Sequence, residues 1–195
     1  MTEGPRVFTV GHSTRSQAEL LDLLRGFGIH RLVDVRRYPV SRRHPHFGRE
    51  LLGSALEAMS IEYVHEPDLG GRREPVPGSS NTALRSAAFR GYADHMASAE
   101  FQTALGRVVS AACRQAALGR QALMCAEAVP WRCHRQLIAD ALVARGIVVE
   151  HVLGPGRSSA HVQRAEARVT PEGLLVYEAR GQSGALFTPP IDRDR

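Results

Sequence analysis

A chain of 195 residues, 43% hydrophobic and 23% charged, fits one globular domain with room for a sizeable core. No apolar run approaches the roughly 18 residues of a membrane span, no signal-peptide pattern opens the chain, and three cysteines are too few and too odd in number for a secreted disulfide framework. The net charge is +5 and all 25 basic residues are arginine. GC-rich coding accounts for that usage, which decides nothing about partners, so a cytoplasmic protein of bacterial style, not bound to a membrane, is expected.

Residues 6–10 alternate as a first strand, and the Gly11-His12-Ser13-Thr14 turn leads into a helix over 16–25, capped by Ser13 or Ser16. Residues 31–36 form a second strand. A loop rich in Pro, Arg and His follows, then a helix over 49–59 and a third strand over 61–65. The stretch 67–81 is rich in Gly, Pro and Ser, and has the length of an active-site lid or mobile loop. Helices are expected over 85–97 and 101–118, with Cys113 a small core residue. A fourth strand spans 121–125, a helix runs from after Trp131 to 144, and a fifth strand spans 148–153. Beyond residue 154 the pattern weakens, with a short strand at 174–177 and a frayed tail over 181–195. The alternation predicts a Rossmann-like three-layer α/β fold, a mostly parallel sheet of about five strands flanked by helices. Residues 1–155 are read as the domain and 156–195 as a partly irregular extension.

Chemistry concentrates between Cys125 and Arg135, which reads Cys-Ala-Glu-Ala-Val-Pro-Trp-Arg-Cys-His-Arg. An apolar run precedes it and a helix-like run follows, so its polar groups stand where a buried strand turns into a helix. In α/β sheets ligands bind there.

Three stretches together carry a family resemblance: Thr9 to Arg15, Val33-Asp34-Val35-Arg36 with Ser41-Arg42-Arg43, and Met124 to Arg135. Leu69-Gly70-Gly71-Arg72 and Phe89-Arg90-Gly91-Tyr92 also fit. The chain resembles the domain-of-unknown-function 488 family over roughly residues 6–153. The resemblance implies a compact Rossmann-like α/β domain of bacteria and archaea, and it brings no settled activity. Function therefore rests on the site.

On a parallel sheet, His12, Asp34 with Arg36, His65 with Glu66, and Cys125 with Glu127 are expected to gather in one cleft at the strand ends. Glu127, partly desolvated after an apolar strand, is the candidate general acid, base or nucleophile. It could instead clamp Arg132 or Arg135. His12 and Asp34 would orient substrate or water, although Asp34 and Arg36 also suit a structural ion pair. The turn at Gly11 could offer backbone N–H groups to an anion, with Ser13 and Thr14 adding hydroxyls, or could simply cap a helix. Arg36, Arg43, Arg72 and Arg135 would hold a phosphate, with Gly70-Gly71-Arg72 wrapping it or serving as lid. Tyr92 and Trp131 would supply ring contacts, unless Trp131 is a buried loop anchor. His44 and His46 read as solvated polar residues.

Three functions are open. The first is a hydrolase or group transferase acting on a phosphate-bearing substrate, either a nucleotide or a nucleic acid. The second is a non-catalytic nucleic-acid-binding or regulatory module using the Arg36–Arg49 patch. The third is a thiol redox or metal site through Cys125, Cys133 and His134, since a thiol near a helix N-terminus beside an imidazole is reactive. Cys-x7-Cys-His is not a recognised zinc spacing, so the sequence requires no cofactor, and zinc or iron is the minority reading. The expected partner is an anionic small molecule or nucleic acid.

Overall fold

The computed structural model describes residues 4–40 and 43–179. Its elements in chain order are β1 (Arg6–Gly11), α1 (Gln17–Gly26), β2 (Ile29–Asp34), α2 (Arg49–Glu57), β3 (Glu62–His65), α3 (Ala87–Met96), α4 (Ala99–Cys113), α5 (Gln115–Leu118), β4 (Arg120–Cys125), α6 (Arg135–Val143), β5 (Val148–Gly154), β6 (Arg157–Ala160), β7 (Ala167–Val169) and β8 (Leu175–Tyr177). Ser41, Arg42 and the tail over 181–195 lie outside the described residues.

Local chemistry accounts for the main elements. Ser16, not Ser13, caps α1, in a reciprocal box with Glu19. Leu20, Leu23 and Leu24 then form the buried face of α1. Ser98 caps α4, which buries Phe101, Ala104, Leu105, Val108, Ala111 and Ala112. Cys113 ends that helix just off its buried face and is exposed, which corrects its expected place in the core. β4 is buried from Gln121 to Cys125, as a central parallel strand must be.

Six strands form the main sheet, in the order β3-β2-β4-β1-β5-β6. The first five are parallel, and β6 adds an antiparallel edge beside β5. With helices on both faces this is a three-layer α/β fold. On one face α1 and α2 pack over Phe8, Val10, Leu32 and Met124. On the other, α3, α4 and α6 cover Val7, Val33, Leu123 and Val149. Neighbouring strands β1 and β4 therefore hand the chain to opposite faces, β1 to α1 and β4 to α6. That divergence is a topological switch point, where a crevice opens at the strand ends.

Residues 157–179 are more ordered than their weak periodicity predicts. β7 and β8 form a hairpin that sinks Leu175 and Tyr177 into the core. Buried Asp140 on α6 accepts from the Tyr177 hydroxyl at 2.9 Å and from His161 Nε2 at 2.8 Å. His161 Nδ1 meets His151 Nε2 at 2.9 Å, and His151 Nδ1 meets Thr9 Oγ1 at 2.7 Å. A neutral His151 satisfies this chain by donating to His161 and accepting from Thr9. Burial, with His161 and Arg135 adding to it, lowers its pKa to about 4. No helix among the described residues is long and apolar enough to cross a membrane.

Tyr177→Phe removes one donor from a buried carboxylate. It should destabilise the protein by about 1–3 kcal/mol in urea titration, and an unchanged midpoint would show that the hydroxyl is dispensable.

Candidate functional site

The C-terminal ends of β1 and β4 meet with Gly11 opposite Cys125. His12 N donates to Cys125 O at 3.0 Å and Ser13 N to Ala126 O at 2.8 Å. These amides are thus taken up by the loop after β4 and are not offered to an anion. Ser13 holds a left-handed φ of 50°, and neither it nor Thr14 lines the crevice. A Cβ on Gly11 would overlap the Glu127 carbonyl oxygen, so glycine is required by the close approach of two backbones.

The crevice is a cleft of about 590 Å³, walled by His12, Arg36, Arg37, Tyr38, Val40, Gly71, Arg72, Ser86, Ala88, Phe89, Tyr92, Cys125 to Glu127 and Arg132 to His134. Of the expected residues it gathers His12, Arg36, Arg72, Tyr92, Cys125, Glu127, Cys133 and His134. Arg37, Tyr38, Phe89 and Arg132 also face it, beyond the residues the sequence points to. Their signal was local: Arg37 and Tyr38 follow β2, and Phe89 shares the motif of Tyr92.

Asp34 lies beneath the cleft, with no exposed side-chain surface. It accepts from Arg36 Nε at 2.9 Å, Arg36 Nη2 at 2.5 Å, Arg36 N at 3.0 Å and the Tyr63 hydroxyl at 2.8 Å. With those contacts made, Asp34 serves to hold Arg36. Arg36 Nη2 also donates to Phe47 O at 2.8 Å, and Nη1 reaches His12 Nε2 at 3.4 Å. Of the five N–H groups of a guanidinium, one on Nη1 remains for the cleft. His12 donates from Nδ1 to Ser13 O at 3.0 Å and stacks on Phe47. Burial, reinforced by Arg36, lowers its pKa to about 4, so it is a neutral acceptor at neutral pH.

His65 and Glu66 do not join the cleft, because β3 is the sheet edge. His65 Nε2 donates to Arg36 O at 2.9 Å, and Glu66 takes a bidentate pair from Arg107. Arg135 is 1% exposed and also stands outside the cleft wall. Its Nη2 donates to Glu127 O at 2.6 Å and its Nε to Cys133 Sγ at 3.4 Å. It therefore ties the loop down and has no free face for a phosphate. Trp131 is 58% exposed on a short turn outside the cleft, so it is neither buried anchor nor cleft wall. Arg43 is exposed and likewise outside. His44 and His46 are half-buried; His46 stacks on Phe47 and meets Arg15 O.

Gly70 and Gly71 are close-packed rather than a loose lid. A Cβ on Gly70 would lie 2.7 Å from Arg37, and one on Gly71 would lie 2.9 Å from His134 Nδ1. Downstream, Asp94 holds Val76 N, Ser79 Oγ and Asn81 Nδ2. Arg72 has a left-handed φ of 60°, strain that turns it onto the cleft wall. Tyr92 donates its hydroxyl to Leu69 O at 2.7 Å and lays its ring against His134, centroids 4.9 Å apart.

Glu127 is exposed on the cleft wall, contrary to its expected desolvation. Among the described residues its carboxylate has no hydrogen bond or ion pair, so it clamps neither Arg132 nor Arg135. Behind it, the ligand atoms of buried Cys125, buried Cys133 and half-buried His134 lie within 4.8 Å of one another. His134 Nε2 donates to Val35 O at 3.2 Å, which turns the Nδ1 lone pair of a neutral ring toward both sulfurs. A hydrogen bond from Cys125 lowers the Cys133 pKa well below that of an ordinary thiol, with Arg135 assisting, while Cys125 is pushed up.

A family model described as "Domain of unknown function DUF488" matches residues 16–142, well over half of the chain. No curated protein and no solved structure is similar enough to count as a match. The chain belongs to the DUF488 family.

Asp34→Ala leaves Arg36 buried without its counter-charge and should destabilise the fold by about 3–5 kcal/mol in chemical denaturation. His12 and His151, with pKa values lowered to about 4, take up protons in the unfolded chain first. Their contribution is full above about pH 6.5 and is lost as pH falls toward about 4. Melting temperatures should drop through that window, and a flat profile would contradict the neutral imidazoles.

Proposed function

We propose that this member of the DUF488 family is an enzyme, a hydrolase or group transferase that takes a phosphate-bearing substrate into the cleft at the strand ends. The observation that carries the reading is the convergence of Arg36, Arg37, Arg72 and Arg132 on one cleft with the unpaired carboxylate of Glu127. Arg72 and Arg132 are exposed and keep their guanidiniums free of any hydrogen bond among the described residues. The starts of α3 and α6 border the same cleft and carry no acidic residue in their first turns, which favours an anion further.

Tyr38, Val40 and Phe89 form the apolar part of the wall, suited to a base or sugar ring. The volume of about 590 Å³ falls among ordinary small-ligand sites of about 300–1,000 Å³. A nucleotide, free or as one unit of a strand, matches both charge and size. In this reading Glu127 supplies the acid, base or nucleophile, and neutral His12, accepting from Arg36 Nη1, positions that guanidinium at the cleft.

Calorimetry with nucleoside mono- and diphosphates and short oligonucleotides tests the binding. Arg72→Ala and Arg132→Ala should each weaken it by about tenfold, or ~1.4 kcal/mol. On a turned-over substrate, Glu127→Gln should lower kcat by about 10²–10⁴-fold with the fold intact. Full turnover in that variant would remove Glu127 from the chemistry. Binding that follows the exposed loop arginines while ignoring Arg72 and Arg132 would favour a nucleic-acid-binding module.

A further inference from the structure

We propose that Cys125, Cys133 and His134 form a metal site for a borderline-soft divalent cation, zinc, at the back of the cleft. Along the chain the Cys-x7-Cys-His spacing left this only the minority reading. Cys125 ends β4, while Cys133 and His134 stand just before α6, and the turn at Pro130–Arg132 brings that pair back to Cys125.

The spacing is already that of a coordination sphere. His134 Nδ1 lies 3.9 Å from Cys125 Sγ and 3.7 Å from Cys133 Sγ. Tetrahedral zinc with Zn–S near 2.3 Å and Zn–N near 2.05 Å places such atoms about 3.6 Å apart. A contraction of at most a few tenths of an ångström would bring Nδ1 to that distance from both sulfurs, and all three ligand atoms lie within 4.8 Å of one another.

The donors are also oriented as ligands. The bond from His134 Nε2 to Val35 O at 3.2 Å fixes the tautomer with a free Nδ1, the usual outer support of a metal-bound imidazole. Tyr92 packs on the same ring, and Gly71 comes so close that a Cβ there would lie 2.9 Å from Nδ1. Arg135 Nε reaches Cys133 Sγ at 3.4 Å, a donor to a metal-bound thiolate. Two thiolates and a neutral imidazole balance a divalent charge, and sulfur with nitrogen selects zinc over hard cations.

All three residues line the cleft, so a fourth ligand would come from the cleft side as water or a substrate atom. Three protein ligands and one exchangeable position is the pattern of catalytic rather than purely structural zinc. The site stands independently of what the cleft binds, because metal content is read without turnover.

The test is metal analysis of the full chain purified without chelator, followed by anaerobic exchange with Co²⁺. The expected result is about one zinc per chain, and a cobalt form with tetrahedral d–d bands and thiolate-to-metal charge transfer. Cys125→Ser and Cys133→Ser should lose the charge-transfer band, while Cys113→Ser, at an exposed position, should keep it. If a ligand variant fails to fold, the cobalt spectrum of the unaltered chain still decides. A reduced protein that takes up neither metal overturns the proposal, as does a metal-free Cys125–Cys133 disulfide.

Discussion

Everything at this site depends on how closely β1 and β4 approach at their C-terminal ends. Gly11 lies so near the Glu127 carbonyl that no side chain fits between them. Amides of His12 and Ser13 bind the loop after β4 from one side, and Arg135 Nη2 holds Glu127 O from the other. The loop is therefore part of the sheet's end. Because β1 and β4 send their following helices to opposite faces, that rigid junction also becomes the floor of a crevice.

The charges near this junction divide into supports and free groups, and burial makes the division. Asp34, Arg36 and Arg135 sit where an unpaired charge would be costly, so most of their hydrogen-bonding capacity is used internally. They hold His12, the loop and Cys133 in place. The groups left to meet a ligand are those the solvent reaches: Glu127, Arg72, Arg132 and part of Arg37. A second buried network, from Thr9 through His151, His161 and Asp140 to Tyr177, ties the C-terminal hairpin to α6.

Much of this could be read along the chain. The strands and helices follow from period-2 and period-3.6 patterning and from caps such as Ser16. The convergence of His12, Cys125 and Glu127 follows from placing polar groups at parallel strand ends. The misplaced residues share a cause. Side-chain type points Trp131 and Arg135 to a ligand and strand-end position points His65 there, but their exposure is set by which way a turn faces, what packs beneath it and whether their strand lies at an edge. Cys113 misses the core because it is one position past the buried stripe of α4. β6 and β7 carry no strand pattern of their own, because short edge strands owe their pairing to a neighbour.

Taken alone, the sequence determined the layered α/β architecture, the membership of Cys125, Glu127 and Cys133 in a strand-to-helix connection, and the local wealth of arginine. Periodicity and capping are local, so they can be read along the chain. Tertiary structure alone decided which arginines face a ligand and which are struts. It also decided that β3 stands apart from the cleft and that two cysteines eight positions apart share one histidine. Those outcomes come from strand order and burial, and both are properties of elements distant in sequence being pressed together.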